Sequence, residues 1–186
     1  DRRQRQMCIR DRSRTGRLLR YDPTTGSTEV MIEGLFFANG VTIGPNEDYV
    51  LVNETGMGRV HRLWISGDKA GQRDIFVDEL PGTPDNIRFD GVGTFWIAMP
   101  SLRASIDALA GLPRQRALLS FLPVALLEAV AQPASFVAAV NLEGEVVHNL
   151  QDQNNPFHYI TGVTPCGDTL YLGSLQTRTI GALPTP

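Results

Sequence analysis

The chain has 186 residues, with 17 Lys and Arg against 20 Asp and Glu and a formal net charge of −3. That balance lacks the basic face on which a nucleic-acid partner depends, and two cysteines, Cys8 and Cys166, build neither a disulfide framework nor a cysteine-based metal motif. No run reaches the roughly 18 uncharged apolar residues that a membrane-spanning helix requires.

Residues 1–14 stand apart. They hold Arg2, Arg3, Arg5, Arg10, Arg12 and Arg14 and show no apolar periodicity. They read as an artefactual or disordered head rather than as a basic arm for nucleic acid or membrane. Setting them aside leaves 11 cationic against 18 acidic residues, a net charge of −7.

From residue 15 onward the elements follow in order. Residues 17–21 and 28–32 predict two strands around the turn chemistry of Asp22-Pro23-Thr24-Thr25-Gly26. Residues 40–43 predict a short inner strand, Pro45-Asn46-Glu47-Asp48 a turn, and 49–52 the returning strand. Residues 59–65 alternate with period two, as a half-exposed strand does, and 74–77 predict an outer strand. A second set follows, from Asn86, through 95–99, to 136–142 and 145–150 around Glu143-Gly144. A third comprises 162–164, 169–172 and 179–183. Between the second and third strands of the middle set lies 101–134, rich in Ala and Leu and poor in β-branched residues. That composition predicts helix, which Pro113 and Pro123 divide into pieces at 106–111, 114–121 and 124–132.

A short pattern recurs three times: Asn39-Gly40-Val41 before Tyr49, Asp85-Asn86-Ile87 before Phe95, and Thr161-Gly162-Val163 before Tyr171. The step from Val41 to Tyr49, from Ile87 to Phe95 and from Val163 to Tyr171 is eight residues each time. Val41 and Ile87 lie 46 residues apart; Ile87 and Val163 lie 76 apart, or 42 once the 34 residues of 101–134 are set aside. Such a period matches the roughly 40–50 residues of a propeller blade. The expected fold is therefore all-β: a partial β-propeller of about three to four blades, with a helical cap insertion at 101–134. We expect 15–186 to be the C-terminal part of a longer propeller. A signal peptide or anchor would then lie upstream, so localisation is not legible.

In this topology the residues just before each inner strand line the mouth of the central channel. Asn39, Asp85 and Asn86 offer amide and carboxylate oxygens there, the hard donors that suit Ca²⁺. Three fall short of the roughly six to eight that Ca²⁺ takes. The alternative is that they are turn formers whose side chains cap backbone groups. His158, on the same face, is a candidate general base, against a solvated or hydrogen-bonded role. Glu54, on the upper rim, is a second catalytic candidate, against a structural hydrogen bond. His61 and His148 read as structural, and Trp64 and Trp96 as packing. No Gly-x-Ser-x-Gly elbow and no His-Glu-x-x-His motif is present, so serine hydrolase and zincin readings have no support.

The strings Gly34-Leu35-Phe36-Phe37-Ala38-Asn39-Gly40-Val41, Val52-Asn53-Glu54-Thr55, Arg62-Leu63-Trp64-Ile65-Ser66-Gly67, Leu80-Pro81-Gly82-Thr83-Pro84-Asp85-Asn86-Ile87 and Leu170-Tyr171-Leu172-Gly173-Ser174 resemble the strictosidine synthase-like family. The resemblance implies a six-bladed β-propeller related to paraoxonases and gluconolactonases. It places Asn39 at a paraoxonase-type channel asparagine, and Asp85 and Asn86 at an Asp-Asn pair that helps hold a catalytic calcium, with further ligands upstream. Thr161 falls where strictosidine synthases carry a catalytic Glu, which argues against a condensing enzyme. The implied function is calcium-assisted hydrolysis of a small-molecule ester or lactone, of the arylesterase type. The alternative is a non-catalytic, membrane-associated propeller with a structural channel metal. The 101–134 segment or the upstream part would then supply the membrane contact.

Overall fold

The computed structural model describes residues 14–103, 134–152 and 157–186. Its strands form four antiparallel sheets. β1 (Gly16–Asp22) and β2 (Ser27–Leu35) make a hairpin. β3 (Ala38–Ile43), β4 (Tyr49–Glu54), β5 (Arg59–Trp64) and β6 (Arg73–Val77) make a meander in sequence order. β7 (Ile87–Phe89), β8 (Phe95–Ala98), β9 (Phe136–Val140) and β10 (Val146–Gln151) repeat it, and β11 (Ile160–Cys166), β12 (Thr169–Ser174) and β13 (Gly181–Pro184) begin it again. The chain is thus an all-β stack of propeller blades, as the repeat spacing requires.

Side-chain alternation explains the stacking. In β8, Phe95 and Ile97 join one core while Trp96 and Ala98 join another; in β9, Phe136, Ala138 and Val140 side with the first, Val137 and Ala139 with the second. Strands apolar at every position are buried on both faces. The first core joins Leu51, Val60 and Phe76 of the β3–β6 sheet to this blade. The second joins it to Ile160, Val163, Leu170 and Leu172. A third packs Leu18, Ile32 and Leu35 of the hairpin against Val52 and Leu63. The outer face of the hairpin exposes Leu19, Tyr21 and Val30, and Tyr171 is exposed on the far face of the last sheet. In a closed propeller such faces are covered by neighbouring blades.

The blades also touch through a turn. Gly144, between β9 and β10, has φ +91°, and a Cβ there would lie 2.3 Å from the Phe76 carbonyl of the preceding blade. Glycine meets both demands at once.

Of the expected boundaries that shift, two have a plain cause. The first inner strand begins at Ala38, because Ala38 pairs with Glu54 beyond a bulge. The last strand is β13 (Gly181–Pro184), where Pro184 sits at a sheet edge, the position in which a missing N–H costs nothing. Of the expected helical cap at 101–134, residues 104–133 lie outside the described residues. The described feet of this segment are tied to the blade through backbone groups. Leu102 bridges Gly82, the Arg103 N–H donates to the Pro81 carbonyl, and the Ala134 N–H donates to the Pro100 carbonyl at 3.1 Å. The insertion therefore leaves and rejoins the blade at one place. Among the described residues no helix is long and apolar enough to cross a membrane.

Candidate metal centre

Each inner strand opens with a β-bulge. Between the pairs Ala38↔Glu54 and Val41↔Val52, three steps on β3 face two on β4. Between Ile160↔Ser174 and Gly162↔Gly173, two steps on β11 face one on β12. In the middle blade Asp85 and Asn86 share the single partner Ala98: the Asp85 N–H donates to its carbonyl at 2.9 Å, and its N–H donates to Asn86 at 3.0 Å. Bulges bend a strand and re-aim its side chains, and here they fall at one place in every repeat, on Asn39-Gly40, Asp85-Asn86 and Thr161.

The bulges are stitched to one another. The Gly40 N–H donates to the Asp85 carbonyl at 2.9 Å, and the Asn86 N–H donates to the Thr161 carbonyl at 3.3 Å. The second residue of each pattern thus binds the first residue of the next blade. Asn86 adds its side chain, with Nδ2 donating to the Thr161 carbonyl at 2.6 Å. That bond commits the nitrogen and leaves Oδ1 as the end that can meet a cation. Asn39 and Asp85 are brought to the same rim, each within one residue of the 2.9 Å seam. Both are half-buried, and Asn86 is exposed.

The seam has no room for a side chain at Gly40. A Cβ would lie 2.4 Å from the Asp85 carbonyl oxygen, 2.7 Å from Asn86 Cα and 2.8 Å from Ile87 N, all backbone atoms. Gly40→Ala is expected to destabilise by about 1–3 kcal/mol, the usual cost of overpacking, seen as a lower denaturant midpoint with an unchanged slope.

Upstream of two of these bulges the backbone is held in the left-handed region by aromatic residues, Phe37 at φ 61° and Tyr159 at φ 52°. Their carbonyls accept from the returning strands, Phe37 from the Thr55 N–H at 3.0 Å and Tyr159 from the Leu175 N–H at 3.1 Å. Non-glycine residues keep this conformation only where the surroundings over-determine it.

As candidate donors, Asn39, Asp85 and Asn86 would offer one carboxylate and two amide oxygens. Such a set is hard in character and low in charge, which in oxygen-liganded sites goes with weaker calcium binding. Among the described residues no group of three or more His, Cys, Asp and Glu is placed to hold a metal.

Glu54 is differently engaged. It is fully buried at the end of β4. Oε1 accepts the Phe36 N–H at 2.7 Å; Oε2 accepts Arg59 Nε and His61 Nε2, both at 2.6 Å. His61 is buried as well, and its Nδ1 accepts from Arg73 at 3.1 Å. With Nδ1 accepting from a guanidinium and Nε2 facing a carboxylate, the ring proton sits on Nε2. Burial pushes the Glu54 carboxyl up, but the hydrogen bonds from His61, the Phe36 N–H and Arg59 outweigh it and hold the group at about 2. A carboxylate so occupied has neither the free lone pair nor the proton affinity of a general base near neutral pH.

His158 lies three residues before Thr161, in the segment entering β11. Its ring is 5.6 Å from that of Tyr159, and its carbonyl accepts the Ser174 hydroxyl at 2.6 Å.

Asn53 adds a further polar group to this rim. It is fully buried, opposite the first bulge, with Nδ2 donating to the Asp85 carbonyl at 2.7 Å. The sequence carries its signal: Tyr49, Leu51 and Asn53 alternate on one face of β4, and the third is polar where the first two are core.

Several known proteins are similar to this chain. The family model described as Strictosidine synthase matches residues 1–68. Adipocyte plasma membrane-associated protein of Gallus gallus is 35% identical over 169 residues, covering 87% of this chain and 41% of that protein. Protein STRICTOSIDINE SYNTHASE-LIKE 6 of Arabidopsis thaliana is 37% identical over 161 residues, covering 86% and 42%. The chain thus spans less than half the length of these curated relatives. Among solved structures, regucalcin of Agrobacterium tumefaciens, described as a calcium-binding protein, superposes with a TM-score of 0.55 at 13% identity, covering 89% of this chain and 46% of that one. At that identity the likeness is one of fold.

Proposed function

The chain belongs to the strictosidine synthase-like family, and from that premise we propose that it contributes half of a calcium site to an enzyme that hydrolyses small-molecule esters or lactones. The observation that carries this reading is the stitched rim, which sets Asn39 beside the Asp85-Asn86 pair at the bulged starts of adjacent inner strands. The residues present fit a hard cation: amide oxygens from Asn39 and Asn86 and a carboxylate from Asp85, with the Asn86 nitrogen already spent on Thr161. The rest of the coordination would come from parts of the protein outside this chain. Regucalcin, of similar fold, is described as calcium-binding, which supports the choice of ion.

Calcium, when bound, supplies a charge that polarises a substrate carbonyl and stabilises the oxyanion formed on attack. The chain's own residues do the rest. Asn39, Asp85 and Asn86 bind the ion, and the Gly40–Asp85 seam keeps them in register. His158 is the candidate to accept the proton of the attacking water. Glu54 is left out of this role by its three partners. Thr161 presents a hydroxyl where a condensing enzyme of the family would need an acid.

One observation favours a second reading, a propeller whose metal is structural: the described rim holds a single carboxylate and the nearby acid is buried in an ion cluster. Phenyl acetate turnover by the full-length protein separates the two. We expect turnover to fall at least about tenfold on adding EDTA and to recover with calcium. Turnover indifferent to EDTA would overturn the metal-assisted reading. Absent turnover, with calcium still raising the melting temperature, would favour the structural one.

A further inference from the structure

The upper end of β4 reaches across to the next blade at two points. Asn53 Nδ2 donates to the Asp85 carbonyl at 2.7 Å, and Thr55 Oγ1 donates to the Pro84 carbonyl at 2.6 Å. With the Gly40 N–H, the Asp85 carbonyl receives two donors, both from the preceding blade. We propose that Asn53 and Thr55 are positioning residues: a two-point clamp that fixes the Pro84-Asp85 backbone against Asn39-Gly40, and so sets the geometry in which the Asp85 side chain is presented. This deepens the calcium reading and rests on it for the ligand, though not for the clamp.

Three features single the pair out. Asn53 is fully buried on a face whose other members, Tyr49 and Leu51, are core. Its Oδ1 is buried without a hydrogen-bond partner among the described residues. An unpaired buried acceptor is a cost to folding, and the side-chain hydrogen bond that Asn53 makes in return goes to the Asp85 carbonyl. Thr55 meanwhile is tied at both ends, its N–H to the Phe37 carbonyl and its hydroxyl to Pro84. One residue therefore links the left-handed turn before Asn39 to the peptide before Asp85.

The test uses the full-length protein and three variants: Asn53→Ala, Thr55→Val, which keeps shape and loses only the hydroxyl, and Thr55→Ser, which restores it. Hydrogen exchange of the Gly40 amide in the metal-free protein reads the seam without reference to calcium. Calorimetric titration with calcium chloride reads the ligand site. We expect Gly40 exchange to quicken about tenfold in Asn53→Ala and Thr55→Val, and calcium affinity to fall about tenfold, in the range for partners that orient metal ligands. Thr55→Ser should return both toward wild type. Faster Gly40 exchange with no calcium binding even by the wild type would uphold the clamp and remove the calcium reading. Unchanged Gly40 exchange in both Asn53→Ala and Thr55→Val would overturn the clamp.

Discussion

Glu54→Gln is expected to destabilise the full-length protein by about 3–5 kcal/mol, the usual cost of removing one partner from a buried ion pair. The change keeps the shape of the side chain and removes its charge. It leaves His61, wholly buried, and Arg59 facing a neutral amide whose nitrogen cannot accept from either. The Phe36 N–H, which needs Oε1, competes for the one oxygen that remains. The loss should also depend on pH. The Glu54 carboxyl lies at about 2 in the folded protein against an ordinary 4.5. A group whose folded value is depressed contributes stability that is present above the unfolded value and is lost as pH falls through the folded one. Wild-type stability should therefore decline between about pH 4.5 and pH 2 more steeply than that of Glu54→Gln. Urea midpoints across that interval check it. A variant within about 0.5 kcal/mol of wild type at pH 7, with the same acid slope, would show that the cluster contributes nothing net, an outcome known for some buried ion pairs.

The second large effect concerns Asp85. At a calcium concentration of about 100 times the dissociation constant, a single site on the native state stabilises it by about 2.7 kcal/mol. Asp85→Asn is expected to abolish most of that gain. It conserves size and one oxygen but removes the carboxylate from a donor set whose other described members are neutral amides. The backbone seam runs through the Asp85 carbonyl, which the substitution leaves in place. The effect of calcium is therefore read as the difference between the melts with and without the ion in each protein, which cancels any change in metal-free stability. Thermal melts of both proteins with and without calcium chloride decide it. Equal calcium-dependent shifts in the two would place the ion elsewhere.

The fold was readable because propeller physics leaves a strong imprint on a sequence. The eight-residue step from Val41 to Tyr49 and its two copies fixes the inner hairpins. The wholly apolar runs of β8 and β9 announce sheets buried on both faces. The placement of Asn39, Asp85 and Asn86 was legible too, since topology alone carries them to the starts of inner strands. What escaped was register. A bulge adds one residue that pattern reading counts as ordinary strand, so the opposition of Asn53 to Asn39-Gly40 was invisible. The surroundings of Glu54 escaped because cross-strand partners are set by pairing rather than by neighbours in sequence. Arg59 and His61 face it only through the β4–β5 pairing, and Arg73 reaches His61 from β6. Nor could residue type reveal the left-handed turns at Phe37 and Tyr159, because aromatic residues rarely adopt that conformation unless tertiary contacts impose it.

The most direct test is crystallographic. Crystals of the full-length protein grown with calcium, or soaked with terbium as its anomalous stand-in, should show one strong peak at the rim of the inner strands. The Asn39 amide oxygen and an Asp85 carboxylate oxygen should lie within about 2.3–2.6 Å of the calcium, the ordinary Ca–O range. A rim without such a peak, or one whose Asn39 and Asp85 oxygens face opposite sides of the seam, would contradict the account.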